Sequence, residues 1–252
     1  MMTIIGKFFR NVGTGFRDTY QLTKFVWKNK ILMISMFVLG IVGVGTMFPI
    51  HFSKVSAPAK SLFFVFPSIF ICLLMIVFML FTKKLFSNKK IVFGQILKEI
   101  FAIIKTSDFW ILTLAAYAFS LIKLNFKSPL LLLVDIVISV SITSLLTQIV
   151  YEKVNIKKCW LFVEKYFSRI LGSYLFMMSS VIATAIIPLI FLACWKVLLG
   201  IIPNLSVITN PKVVKIVMLS SFGIVMISVA LIVGAAFYSF YSKSYKEFLE
   251  KK

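Results

Sequence analysis

The feature that most constrains this chain is a series of apolar runs, each long enough to cross a bilayer. A transmembrane helix needs about 20 predominantly apolar residues. Six stretches qualify: residues 31–50, 61–81, 109–126, 130–150, about 170–202 and about 213–241. The third is short and is interrupted by Lys123, whose long side chain can snorkel to the headgroups. Hydrophobic residues make up 60% of the 252-residue chain and charged residues only 14%. A soluble domain has about 45–50% and about 25%. So large an apolar surplus needs lipid as part of its solvent. The expected fold is an all-α polytopic membrane protein with six transmembrane helices, forming one integral membrane domain.

Charge placement gives an orientation. Basic side chains favour the cytoplasmic side of a membrane protein. Residues 1–30, the second and fourth connections and the tail at 242–252 hold 21 Lys and Arg residues, whereas the other side holds 7. Six spans with both termini cytoplasmic sort the charges in this way. Omitting the third span would put the basic fourth connection and the tail outside. Seven of the eight carboxylates (Asp18, Glu99, Asp108, Glu152, Glu164, Glu247 and Glu250) also fall on the basic side. The net charge of +20 is spread beside apolar runs and follows no nucleic-acid motif. Its expected partner is membrane lipid, and anionic lipid in particular. A membrane-protein partner is also compatible with the sequence.

The connections carry helical patterns of their own. Residues 94–107 place Ile96, Leu97, Ile100, Phe101 and Ile104 on one face, opposite Gln95, Lys98, Glu99 and Lys105. Residues 156–169 set Trp160, Val163 and Phe167 against Lys157, Glu164 and Lys165, and residues 16–28 set Phe16, Tyr20 and Trp27 beside Arg17, Lys24 and Lys28. Lysines among bulky aromatics predict helices lying in the headgroup plane. The expected lipid-headgroup contacts are Lys24, Trp27, Lys28, Lys98, Lys105, Lys157, Trp160 and Lys165. Each such helix precedes a pair of spans, which reads as three units of amphipathic helix, span, short outer loop and span. On the segments WKNKIL, QILKEIFAIIKTSDFWIL and KKCWLFVEKYFSRIL, the chain resembles a group of poorly characterised bacterial six-span membrane proteins. In outline it is similar to the membrane domain fused to some glycerophosphodiesterases. The resemblance implies a multi-pass protein of the bacterial inner membrane, and it supplies no catalytic residues.

One carboxylate lies inside a span. Asp135 and Lys196 each fall roughly 9 Å below the outer surface at 1.5 Å per residue, so the two are expected to pair. Lys123 or Lys127 is the alternative partner. Asp135, Ser139 and Thr143 recur at spacing four. Such a stripe either hydrogen-bonds neighbouring helices or lines a polar path. Pro67 and Pro188 are expected to kink their spans, and Cys72 and Cys194 read as small buried hydrophobes, as does Cys159 in its polar connection. His51 has no acidic or cysteine neighbour in sequence. No nucleophile elbow, Walker loop or zinc pattern occurs, so no catalytic, cofactor or metal site is assigned. The sequence leans against an enzyme. It favours a membrane-organising or accessory protein that binds anionic lipid, with a small transporter or permease using Asp135, Ser139 and Thr143 as the alternative.

Overall fold

The computed structural model describes residues 2–29, 33–34, 65–87, 92–125, 130–201 and 211–251. The first expected span, with His51, lies outside these residues apart from positions 33–34. Among the described residues there are seven helices: α1 (Met2–Lys28), α2 (Val65–Phe86), α3 (Phe93–Ile104), α4 (Ser107–Asn125), α5 (Leu130–Tyr151), α6 (Ile156–Ile201) and α7 (Pro211–Glu250). Val65–Phe86, Val134–Tyr151 and Ile156–Thr184 are long and apolar enough to cross a membrane. A fourth span arises if α3 and α4, bent by 76° at their junction, count as one broken segment. The described residues are therefore all-helical outside their turns, with several helices long and apolar enough to cross a membrane.

The bend between α3 and α4 has a local cause. Thr106 sits between them, its hydroxyl donating to the Ile103 carbonyl at 2.6 Å and accepting from the Phe109 amide at 3.4 Å. A threonine at that point serves the end of one helix and the start of the next. The Trp110 indole donates to the Ile104 carbonyl at 2.9 Å and braces the same corner.

Residues 156–169 do not form a separate helix in the headgroup plane. They are the first turns of α6, which runs unbroken for 46 residues. At 1.5 Å per residue that is about 69 Å, more than twice the roughly 30 Å of a bilayer core. Part of α6 must therefore stand outside the hydrocarbon, and so must part of the 40-residue α7. The backbone of α6 remains helical through Pro188, and Pro67 falls in the first described turn of α2.

Each of the amphipathic segments also carries an inward-packing stripe beside its outward one. In α6 the stripe that packs inward is Cys159, Phe162, Tyr166 and Ile170, while Trp160 is 69% exposed and Phe167 45%. Phe162 lies 5.0 Å from Tyr245 and 5.7 Å from Phe248 of α7, ring centre to ring centre. In α1 the buried positions are Gly15, Asp18, Thr19, Leu22 and Val26, and Phe16, Tyr20 and Trp27 are exposed. In α3 Ile96 and Ile103 are buried, whereas Leu97 and Phe101 face outward. Lipid accepts apolar side chains as readily as a protein core does, so an aromatic stripe can face outward while a second stripe packs. Cys72 and Cys159 are buried as expected, but Cys194 is exposed.

The tightest helix contact joins α1 to α6. A Cβ added at Gly15 would stand 1.9 Å from the Arg169 carbonyl oxygen, and one at Gly172 would stand 1.9 Å from that of Val12. Only glycine lets the two backbones come this close. Thr19 donates to the Ser173 hydroxyl at 2.7 Å one turn further on. Phe16 and Tyr20 meet Phe176 edge-on at 5.0 and 6.1 Å.

Gly172→Ala is expected to lower stability by about 1–3 kcal/mol, the usual cost of overpacking, and to expose α1 to protease. Gly13→Ala, where the new methyl meets open space, should leave stability equal or higher because alanine favours helix. Thermal unfolding in detergent with limited proteolysis reads both. Equal melting temperatures for the two variants would refute the close crossing.

Candidate functional site

The C-terminal ends of α2, α5 and α7 meet the N-terminal part of α6 at one end of the bundle. Polar groups there are numerous and shared. Thr82 and Ser239 hydroxyls lie 2.8 Å apart, and Ser242 donates to the Met79 carbonyl at 3.2 Å. The Tyr151 and Ser242 hydroxyls lie 2.8 Å apart. Two lysines cap helices other than their own. Lys83 donates to the Val150 carbonyl in the last turn of α5 at 2.6 Å, and Lys246 donates to that of Phe86, the last residue of α2, at 2.9 Å. Carbonyls at a helix C-terminus lack intrahelical partners and carry the negative end of the helix dipole, so an ammonium suits them.

Three charge groups complete this end. Arg169 donates to Asp18 of α1 at 2.6 Å and to Glu247 of α7 at 3.1 Å, so one guanidinium ties three helices together. Lys84 of α2 pairs with Glu99 of α3 at 2.6 Å. Glu152, just beyond α5, accepts from both Lys158 of α6 and the Tyr245 hydroxyl of α7. Burial alone would raise the Glu152 carboxyl, but the Lys158 ammonium and the Tyr245 hydroxyl outweigh it and hold the group below its ordinary value of 4.5.

The expected headgroup residues fall into two sets. Lys98, Lys105, Lys157 and Lys165 are exposed, as is Trp160. Lys165 lies over the Phe248 ring at 5.7 Å. Lys24, Trp27 and Lys28 instead come together. With Thr23 they form one wall of a groove of about 330 Å³, and Val229, Ile232 and Val233 of α7 form the other. Lys24 also lies over the Tyr20 ring at 4.5 Å.

Asp135 is half-buried on α5 and accepts from the Ser139 hydroxyl at 3.3 Å. The side chain of Lys196 lies outside the described residues, and so does the expected Asp135–Lys196 pair. Thr143 is buried, and the polar stripe continues past it through Ser144, Thr147 and Gln148, each fully buried. Thr147 meets the Met79 sulfur of α2 at 3.5 Å. This half of the stripe is a packed seam between helices.

Comparison with known proteins finds no matching family model, no similar curated protein and no similar solved structure.

The sequence reading did not single out Arg169, Glu152, Tyr245 or the Gly15–Gly172 crossing. Their partners lie 78 to 151 residues away for Arg169 and 93 for the Glu152–Tyr245 pair, beyond any local period. The one available cue was a pair of glycines, Gly13 and Gly15, inside an otherwise helical pattern.

Replacing Arg169 with methionine strands Asp18 and Glu247. Hydrogen bonds to charged groups contribute about 1.5–3 kcal/mol, so Arg169→Met should lower the melting temperature in detergent by a correspondingly large step, with Asp18→Asn in that background adding little. Full additivity of the two changes would show that they do not interact.

Glu152 gives a pH dependence. Because its folded value lies below the ordinary 4.5, its contribution is complete above that pH and is lost as pH falls through the folded value. The wild-type melting temperature should therefore drop below about pH 4.5, and the profile of Glu152→Gln should be flatter there. Parallel profiles would remove Glu152 from the explanation.

Proposed function

We propose that this chain is a non-enzymatic membrane protein of six spans with both termini in the cytoplasm, and that it binds anionic lipid through its basic end. Its role in this reading is to organise the membrane or assist a membrane-protein partner. The observation that carries the reading is the sorting of basic residues, 21 against 7 across the expected topology. The joining of α2, α5, α6 and α7 at a lysine-rich end supports it, since these are the ends that the expected topology assigns to one side. The resemblance to bacterial six-span membrane proteins supports the same placement. Near an anionic surface each such lysine contributes on the order of 1 kcal/mol.

Two measurements test this reading. Single cysteines placed at Lys105 or Lys157 in a cysteine-free background should resist a membrane-impermeant maleimide on intact cells, whereas cysteines at Lys54 or Lys127 should react. Labelling at Lys105 would overturn the topology. In nanodiscs, phosphatidylglycerol should raise the melting temperature above that in phosphatidylcholine, and added salt should shrink the gain. Identical melting in the two lipids would overturn the role of anionic lipid.

A further inference from the structure

We propose that the groove between α1 and α7 is a site for one anionic phospholipid, its phosphate held by Lys24 and Lys28 and an acyl chain lying along Val229, Ile232 and Val233. This rests on the lipid-binding reading above and narrows it from a surface to a place. The groove itself is lined by apolar atoms, those of the α1 residues included, and Lys24 and Lys28 are exposed residues on its α1 side. Val229, Ile232 and Val233 recur at the i, i+3, i+4 spacing of one helical face. Thr23, Lys24, Trp27 and Lys28 do the same on α1 and line the other side. A volume of about 330 Å³ is within the roughly 300–1,000 Å³ of ordinary ligand sites.

Charge complementarity selects the occupant. Most of the other basic groups that enter the bundle are already engaged. Arg169 is held by Asp18 and Glu247, Lys84 by Glu99 and Lys158 by Glu152. Lys83 and Lys246 cap helix ends. Lys24 and Lys28 have no carboxylate partner among the described residues. They stand one turn apart on one face, a like-charge pair that disfavours the helix unless an anion sits between them. Thr23 cannot serve as a counter-ion, since its hydroxyl is uncharged. Trp27, 63% exposed beside them, has the indole that favours the headgroup boundary. A phosphodiester with apolar chains satisfies both walls at once. A free phosphate would leave the α7 wall uncovered.

The test is native mass spectrometry of the full chain in detergent, titrated with dioleoyl phosphatidylglycerol or dioleoyl phosphatidylcholine. The wild type should retain one phosphatidylglycerol in preference to phosphatidylcholine. Lys24→Gln with Lys28→Gln should weaken that retention about thirty-fold, from on the order of 1 kcal/mol per lysine. Lys7→Gln with Lys153→Gln removes the same charge elsewhere, at two exposed lysines, and should leave it nearly unchanged. Val229→Trp, which fills the groove and keeps both lysines, should reduce retention to a similar degree. Equal losses in the two lysine pairs would overturn the site and leave the broader lipid reading standing. Unchanged retention in Val229→Trp would also overturn the site. No preference for phosphatidylglycerol in the wild type would overturn both.

Discussion

The arrangement depends on one turn of α6. Between residues 169 and 173 that helix brings its backbone against α1 at Gly172 and offers the Arg169 carbonyl to Gly15. The same arginine sends its side chain to Asp18 and Glu247. In lipid, burial of apolar surface does little to drive helices together, because lipid tails are as apolar as leucine. Close backbone approach and polar contacts between helices must supply the association. Both are present in this turn, so α1 is an integral part of the bundle and does more than coat its surface. The close crossing and the arginine also depend on each other. Without the two glycines α1 would stand off from α6, and Asp18 would move away from the guanidinium.

The helical character of the chain and the existence of its apolar spans were legible because long hydrophobic runs have a single cause. The inward-packing stripe of the amphipathic segments was not. In a soluble protein the apolar stripe points to the core, since water penalises every other direction. Here two directions accept an apolar side chain. Phe162 and Tyr166 pack on α7 while Trp160 and Phe167 point outward from the same turns. The hydrophobic pattern of residues 156–169 therefore records two stripes superposed, and a single-face reading selects the more aromatic one. The unbroken length of α6 was hidden for a related reason. Its charged first turns look like a separate interfacial helix, yet no glycine or proline interrupts Ile156–Ile170 to end one.

The candidate site was legible only in part. Lys24, Trp27 and Lys28 are neighbours on one helix, and the 3.6-residue period alone puts them on related faces. That Val229, Ile232 and Val233 would face them is a tertiary fact about residues some 200 positions away in sequence. Asp135 drew attention as a carboxylate in a span, and its bond to Ser139 is the i, i+4 contact that spacing foresees. Glu152 looked ordinary in a basic connection, but it accepts from two other helix segments, Lys158 and Tyr245. Rarity in a span is visible in sequence, whereas convergence of partners from distant segments is not.

The same convergence separates two uses of positive charge. Eight carboxylates face 28 basic residues, so internal pairing can neutralise fewer than a third of them even when complete. Most of the paired carboxylates sit where helices meet: Asp18 and Glu247 on Arg169, Glu99 on Lys84, Glu152 on Lys158; Glu250 pairs with Lys246 within α7. Acid is thus spent on holding the bundle together, and the remaining lysines keep their charge for the surroundings. A compact body with net charge +20 repels itself unless counter-ions gather on it. Soluble salt supplies them diffusely. A leaflet of anionic headgroups supplies them at a fixed height and as neighbours of the apolar surface that these helices also expose. A helix with aromatics and lysines on its outward face, and with its inward face already packed, is suited to that boundary. That is the physical argument behind the proposal that the basic end of this protein lies against lipid.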